Sequence, residues 1–266
     1  HNRTRKKAEV LLKKGAVWHG TPESAAAAGD TVITMLGLPS DVEQVYFGRA
    51  GDGGILAAAK PGSLLIDMTT SSPRLAERIS RAAEERGIEA LDAPVSGGDV
   101  GARDASLVIM VGGRQEAFDR AVPFFEQLGK SITLLGPAGN GQRCKLVNQI
   151  AVAVGMVAWC EALAVAKAAR LDPSVVQGVI GGGAAKSWGL INLAPRALSE
   201  DFKPGFLVRH LVKDIRLAQE EAECHGVNLP GLEVARRLYE ILKEAGYGEA
   251  GTQVLYHYYD TNKGVI

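Results

Sequence analysis

Short, continuous apolar segments alternate with helical patterns through the first half of the chain, and this alternation ends near Gly136. Apolar runs of this kind, separated by helices, are typical of parallel strands that are buried on both faces. The pattern therefore predicts an α/β domain whose parallel sheet is covered by helices on both sides. The predicted strands are residues 31–36, 63–68, 88–91, 107–111 and 132–135, and the predicted helices are residues 5–14, 40–46 (capped by Ser40), 73–86 and 115–128.

The second half of the chain differs in character, because strand patterns give way to long segments rich in Ala, Leu, Glu and Arg. We expect its helices at residues 142–170, 173–181, 206–225 and 231–246. The two halves together predict an α/β domain over residues 1–137, followed by an all-helical domain over residues 138–266.

The charges of the chain balance, with 30 Lys and Arg against 30 Asp and Glu and a pI near 7.1. This composition offers no basic excess for a nucleic-acid partner and no polybasic tail for a membrane surface. The most apolar run, residues 150–160, is too short to span a bilayer, so we expect a buried core helix there.

Three widely spaced cysteines, Cys144, Cys160 and Cys224, form no CxxC pattern. They are typical of reduced thiols in a cytoplasmic protein, and they predict neither a disulfide framework nor a metal site.

A glycine-rich turn at residues 139–141 leads into Lys145, Asn148 and Gln149. If this segment is helical, the three side chains share one face. The apolar residues that follow indicate that this face is buried. A Lys beside neutral amides in such a place can have a lowered pKa and carry a proton. The alternative is a surface Lys whose stem packs at the start of a helix.

Polar or glycine-rich loops follow three of the predicted strands. They are residues 37–39, residues 69–73 and the segment Ser96-Gly97-Gly98. Ordinary turn chemistry explains any one of them. Because ligands of open α/β sheets bind beyond the carboxyl ends of the strands, the three loops and Lys145 together predict a cleft.

These segments carry a resemblance to a known family. Residues 92–98 resemble the substrate loop of the β-hydroxyacid dehydrogenases, and residues 139–149 resemble the catalytic-lysine motif of that family. Residues 66–70, followed by Pro73, are similar to its D-x-[ST]-[ST] loop. Residues 202–206 and the pair Lys213-Asp214 resemble its closing segment, so the resemblance spans nearly the whole chain in the expected order.

The resemblance implies a Rossmann-type dinucleotide-binding domain before the helical domain, and an oxidoreductase that interconverts a small hydroxy acid with its semialdehyde or keto acid. Hydride would move between the substrate and the nicotinamide, while Lys145 acts as general acid and base. The substrate carboxylate would be held by Ser96, Gly97 and Gly98, with Asn148 beside it. Gln149 stands where many relatives have Asn.

The resemblance also implies a cofactor. Asn2, Arg3 and Thr4 match the segment after the second strand of a dinucleotide-binding fold, where an Arg in place of an acid favours NADP(H) over NAD. A disordered N-terminal stub is the alternative for these residues. The positions that would line or cover the cofactor are Leu36, Gly37, Leu38, Pro39, Thr70, Phe206, Lys213 and Asp214. Gly37 departs from the family, in which Pro is usual.

A G-x-G-x-x-G turn should precede Asn2 but is not found after any predicted strand, and Gly181-Gly182-Gly183 lies between helices. We therefore expect the dinucleotide-binding domain to be truncated at its N-terminus. A polypeptide that begins at His1 would then bind NADP(H) weakly or not at all, because the pyrophosphate cradle is missing.

Two other functions remain open at this point. An imine reductase has a similar architecture but usually lacks the catalytic Lys, and a non-catalytic binding or assembly relative would keep the fold without holding cofactor. The expected partners are a small carboxylate substrate and further copies of the chain in a homodimer or homotetramer, because the second half is strongly apolar.

Overall fold

The structure, a computed structural model, describes residues 1–49 and 53–261. The chain divides into two compact units, His1–Lys145 and Leu146–Ile266. This division lies inside a long helix, and the predicted domain boundary, between residues 137 and 138, lies shortly before that helix. The first residues of the helix group with the first unit because they are hydrogen-bonded to its strand ends.

The first unit contains a mixed set of strands and surrounding helices. Its strands are β1 (Thr31–Thr34), β2 (Leu64–Asp67), β3 (Glu89–Asp92), β4 (Val95–Ser96), β5 (Leu107–Val111) and β6 (Gly129–Leu134). Its helices are α1 (Glu9–Leu12), α2 (Pro22–Ala28), α3 (Pro39–Phe47), α4 (Gly54–Ala58), α5 (Pro73–Glu84), α6 (Gly98–Arg103) and α7 (Gln115–Phe125). A 3-10 turn, Arg5–Ala8, precedes α1.

The strands form two three-stranded groups, ordered β1-β2-β3 and β4-β5-β6. All neighbours in the first group are parallel, and β5 is parallel to β6. The predicted parallel sheet did not include β4, which contains Ser96 of a predicted loop and is antiparallel to β5. The antiparallel direction follows from the turn after Asp92, which returns the chain along β5 so that the Met110 N–H donates to the Pro94 carbonyl at 3.0 Å.

Strand β2 shows why the sheet is covered on both faces. All four of its residues are buried. Leu65 packs into a core with Val42 and Ile79, whereas Leu64 and Ile66 pack into a second core with Ile109 and Phe125. Because successive side chains of a strand point to opposite faces, one apolar run supplies two cores.

The start of α3 differs from the expectation. The helix begins at Pro39 with Leu38 as its N-cap residue, so Ser40 is not the cap. Instead, the Asp41 carboxylate accepts a hydrogen bond from the Leu38 N–H at 3.1 Å. Pro39 suits the first helical position, because an N–H group there would have no partner within the helix.

The second unit is helical. Its helices, the first of which starts in the first unit, are α8 (Asn140–Ala168), α9 (Pro173–Gly181), α10 (Trp188–Asn192), α11 (Ala194–Leu198), α12 (Val208–Cys224), α13 (Pro230–Glu244) and α14 (Leu255–Thr261). By length and composition alone, α8 meets the requirement for crossing a membrane. Its Met156, Cys160 and Leu163 are buried in the core with Ile215 and Tyr239, and this packing accounts for its apolar character.

Candidate active site

A buried hydrogen-bond network joins the loops that follow β1 and β2. Asp67, the last residue of β2, is 5% exposed. Its Oδ1 atom accepts hydrogen bonds from Thr34 Oγ1 at 2.9 Å and from the Thr69 N–H at 3.1 Å. The Thr69 hydroxyl in turn accepts the Leu36 N–H at 2.8 Å. The two loops are therefore held together through the end of β2.

The environment of Asp67 disfavours its charged form. Burial raises the pKa of Asp67 to about 6, although the hydrogen bonds from Thr69 and Thr34 oppose the shift. The nearby Asp92 carboxylate raises it further, since the two residues are paired in register on β2 and β3. This site therefore contains two carboxyl groups in a low-dielectric environment.

Asp92 holds the start of α8. Its Oδ1 atom accepts the Gly139 N–H at 2.7 Å, and its Oδ2 atom accepts the Gln142 N–H at 2.8 Å. These are amides that the helix itself leaves unsatisfied, and the negative charge lies at the positive end of the helix dipole. Burial raises the pKa of Asp92, while the bonds from Gly139 and Gln142 act to lower it.

Lys145 lies in the second turn of α8 and is only 7% exposed. Because the segment is helical, Asn148 and Gln149 share its face, as the spacing predicted. Asn148 is half-buried and Gln149 is buried. An amine in this position is sheltered from bulk water and has two amide side chains one turn away.

The second unit contains a chain of polar contacts that begins at these amides. Asn148 Nδ2 donates to Gln149 Oε1 at 2.8 Å, and Gln149 Nε2 donates to Asp214 Oδ2 at 2.7 Å. Lys213 Nζ lies 3.0 Å from Asp214 Oδ1. Asp214 is 1% exposed, so these contacts compensate a buried charge.

The segment Ser96-Gly97-Gly98 forms the turn from β4 into α6. Gly97 has φ of 132° and Gly98 has φ of 66°, a backbone region that favours glycine. Ser96 and Gly97 are half-buried, whereas Gly98 is exposed. The turn therefore presents main-chain atoms without side chains in front of them.

At the N-terminus, Arg3 is paired with α3. Its guanidinium lies 3.4 Å from the Asp41 carboxylate, and its side chain is 81% exposed. Asn2 Nδ2 donates to the Thr4 carbonyl at 3.0 Å. Since Asp41 also caps the Leu38 N–H, the N-terminal segment and the loop after β1 share one carboxylate.

Two family models match consecutive parts of the chain. The model described as the NAD binding domain of 6-phosphogluconate dehydrogenase matches residues 1–136. The model described as the NAD-binding domain of NADP-dependent 3-hydroxyisobutyrate dehydrogenase matches residues 139–259.

Two relatives that match most of this chain are named as an oxidoreductase and a reductase. The uncharacterized oxidoreductase YkwC of Bacillus subtilis is 50% identical over 96% of this chain and 88% of its own length. The 2-hydroxy-3-oxopropionate reductase of Escherichia coli is 40% identical over 87% of this chain and 78% of its own length. The chain belongs to the β-hydroxyacid dehydrogenase family.

A solved member of the family has the same fold. The Mycobacterium tuberculosis 3-hydroxyisobutyrate dehydrogenase, determined with L-serine, has a TM-score of 0.85 and 31% identity, covering 96% of this chain and 88% of that one. The predicted fold class, a Rossmann-like domain followed by a helical domain, is confirmed. The protein is an NAD(P)-dependent hydroxyacid dehydrogenase, with a nicotinamide dinucleotide as its cofactor.

The residues at the end of β1 fit such a cofactor. Met35 and Leu38 are 61% and 45% exposed, and Leu36 beside them is half-buried. Exposed apolar side chains at the carboxyl end of a parallel strand suit a flat aromatic ring. The half-buried Thr70 carries a hydroxyl and the exposed Arg3 carries a positive charge, and groups of these kinds can bind ribose and phosphate.

The predicted site residues of each unit have their own set of contacts. In the first unit, the Leu36 N–H donates to Thr69, which precedes Thr70, and Arg3 contacts Asp41, which caps Leu38 of the same loop. In the second unit, Asn148, Gln149, Lys213 and Asp214 form one chain of contacts. Phe206 precedes α12, where its carbonyl accepts the Thr252 N–H and its ring meets His210 edge-on at 6.5 Å.

Sequence reasoning assigned no role to Asp67 and Asp92, although both lie in the motifs that carried the resemblance. The available signal was their position, since Asp67 ends an otherwise apolar strand and Asp92 directly follows the apolar Ala90 and Leu91 at the end of β3. A charge in such a place is expensive unless it is hydrogen-bonded, and both residues are.

Proposed function

We propose that this chain uses NADP(H) to interconvert a small hydroxy acid with its semialdehyde or keto acid, with Lys145 as the general acid and base. The single observation that carries the proposal is the burial of Lys145 at the Asp92-capped start of α8. In a hydride-transferring family, an amine sheltered in this way is suited to exchanging a proton with a substrate oxygen.

The chain's own residues would then divide the work. Lys145 Nζ takes the hydroxyl proton during oxidation and returns one to the carbonyl oxygen during reduction. Asn148 orients that oxygen, and Ser96 with the main chain of Gly97 and Gly98 holds the substrate carboxylate. The side-chain amide of Gln149 accepts a hydrogen bond from Asn148 and donates one to Asp214, and so it holds Asn148 in place. When bound, the cofactor supplies or accepts the hydride.

Arg3 supports the preference for NADP(H). Its exposed guanidinium can accommodate a 2′-phosphate, with Asn2 and Thr4 beside it. Asp41, which is paired with Arg3, supports NAD as the second candidate, because a carboxylate can accept a hydrogen bond from a ribose hydroxyl. The remaining cofactor contacts that we propose are the Leu36-Gly37-Leu38-Pro39 loop, Thr70, Phe206, Lys213 and Asp214.

The substrate class is supported by the relatives. One is named a 2-hydroxy-3-oxopropionate reductase and another was determined with L-serine, and both names describe small polar acids. We propose the same class for this chain. The thiols of Cys144, Cys160 and Cys224 support a reducing, cytoplasmic compartment.

The test is turnover of NADPH with glyoxylate, succinic semialdehyde and methylmalonate semialdehyde, and of NADP⁺ with L-serine. Lys145→Ala should lower kcat by about a hundredfold or more, because general acid–base catalysis contributes about 10²–10⁴-fold. Lys130→Ala, at an exposed position, is the control. Wild-type activity in the Lys145→Ala variant would overturn the assigned role.

The same assays separate the alternatives. Reduction of a cyclic imine without reduction of any semialdehyde would favour an imine reductase. For a chain that includes the glycine-rich turn expected before Asn2, failure to bind either NADPH or NADH in a fluorescence titration would favour a non-catalytic relative.

A further inference from the structure

Gln142 connects α8 to the loop that follows β2. Its side chain is fully buried, with 0% exposure. Its Oε1 atom accepts the Ser71 N–H at 2.8 Å, and its Nε2 atom donates to the Thr69 carbonyl at 2.8 Å. Both ends of one amide therefore bind the main chain on either side of Thr70.

The main chain of Gln142 is held from the opposite side. Its N–H donates to Asp92 Oδ2, so this residue connects the ends of β2 and β3 to the first turn of α8. The neighbouring Gly141 allows the close approach. A Cβ atom at that position would lie 2.5 Å from the Met110 carbonyl and 2.6 Å from the Asp92 carbonyl.

Lys145 follows Gln142 by three residues, so the two side chains lie on adjacent positions of one helical face. Any shift of Gln142 relative to the Thr70 loop would therefore move Lys145 by a similar amount. Misplacement of a reacting group by about 1 Å can cost about 10²-fold in rate. The contacts of Gln142 thus control a distance on which catalysis depends.

We propose that Gln142 is a positioning residue, which fixes the Lys145 amine relative to the Thr70 loop by bonding the main chain of Thr69 and Ser71. This inference rests on the proposed function for the roles of Lys145 and Thr70. In this role Gln142 acts through the helix that carries Lys145, and it needs no contact of its own with substrate or cofactor.

The test compares Gln142→Met with Gln253→Met. Met preserves the length and approximate volume of Gln but removes its hydrogen bonds. Gln253 is the matched control, because it is 1% exposed and its Nε2 donates to the Asp201 and Lys203 carbonyls in the second unit. Both variants lose hydrogen bonds between a buried side chain and main-chain groups, so both should have a lower Tm.

The two variants should differ in their effect on the lysine. Gln142→Met should lower kcat by about tenfold to a hundredfold with KM values close to wild type, since the defect lies in geometry rather than in binding. It should also increase the rate at which Lys145 is labelled by acetic anhydride without substrate or cofactor, measured by mass spectrometry. Gln253→Met should change neither quantity.

Equal losses of Tm with unchanged kcat and unchanged Lys145 labelling in Gln142→Met would overturn the inference. If that variant does not fold, Gln142→Glu keeps the volume and the acceptor for the Ser71 N–H. It should have reduced kcat, and wild-type kcat in it would equally overturn the inference. Failure of the proposed function is separate, because it is seen as wild-type activity in Lys145→Ala.

Discussion

At the scale of single residues, the site is organised by buried carboxylates whose hydrogen bonds are directed mainly at the main chain. Asp67 binds the Thr69 N–H, and Asp92 binds the Gly139 and Gln142 N–H groups. Each bond fixes a loop or a helix start rather than another side chain. The consequence is that the framework around Lys145 carries an electrostatic cost that varies with pH.

The protonation of Asp67 makes the stability of the folded protein depend on pH. Its pKa of about 6 in the folded state is above the usual value of 3.8, so the folded protein binds the proton more tightly than the unfolded chain does. Stability should therefore fall as pH rises from about 4 through about 6. The shift corresponds to a contribution on the order of 3 kcal/mol, at about 1.4 kcal/mol per pKa unit.

Asp67→Asn keeps an acceptor for Thr34 and Thr69 but has no charge. We expect it to raise the free energy of unfolding at pH 8 by about 1–2 kcal/mol, below the full value because the new NH₂ group needs a partner. The gain should disappear near pH 4. Urea denaturation at both pH values checks this, with the exposed Asp30→Asn as control. An equal change at the two pH values would contradict the explanation.

Arg3 gives a second prediction at this scale. Arg3→Ala should weaken NADPH binding by about tenfold or more, through loss of a charge-assisted contact, and leave NADH binding nearly unchanged. Fluorescence titration with each dinucleotide measures both affinities. Arg81→Ala, at an exposed position of α5, removes the same charge as a control. A parallel loss of both affinities would remove the support for NADP(H).

At the scale of elements, α12 and α13 are joined by a network of charged side chains. Glu233 accepts hydrogen bonds from Arg236, Arg237 and Gln219, and Glu240 pairs with Arg216. The bonds from Arg236 and Arg237 lower the pKa of Glu233. The network is partly exposed to solvent, so salt should screen it.

Because the pKa of Glu233 is lower in the folded state, its contribution is present above its unfolded pKa and is lost as pH falls through the folded value. Glu233→Gln should therefore lower Tm at neutral pH, and the loss should shrink in high salt and in acid. Glu244→Gln, exposed on the same helix, is the control. A salt-independent loss of Tm would point to packing instead. Differential scanning fluorimetry measures the Tm values of both variants.

Elements with strong periodicity could be predicted from the sequence. The strand β2 and the helix α8 were predicted from their apolar runs, whose lengths suit a buried strand and a long buried helix respectively. The short elements β4, α4, α6, α10, α11 and α14 were missed, because segments of two to seven residues are too short to show a periodic apolar pattern. Likewise, spacing suggested Lys145, but not that Gln142 binds the main chain at Thr69 and Ser71.

At the scale of the whole molecule, the second unit presents uncovered apolar side chains. On α9, Val175 and Val179 are 62% and 72% exposed, and Leu171 before the helix is 56% exposed. These residues recur every four positions and so lie along one side. A row of this kind supports the proposed homodimer or homotetramer.

We expect light scattering after gel filtration to give a dimer or tetramer for the wild-type protein and a smaller species for the Val175→Asp/Val179→Asp double variant. A buried charge without a partner is costly, so two of them should weaken such an interface strongly. Val10→Asp, 66% exposed in the first unit, is the control. A wild-type monomer would exclude the assembly.

The framework formed by Asp92 and Gln142 has a consequence for engineering. Its hydrogen bonds at the start of α8 end on peptide groups, which every sequence possesses, so it does not depend on the side chains at neighbouring positions. Libraries that randomise those neighbouring positions to recruit new substrates can leave the scaffold intact. Substitutions at the two framework residues would instead disturb every member of a library alike.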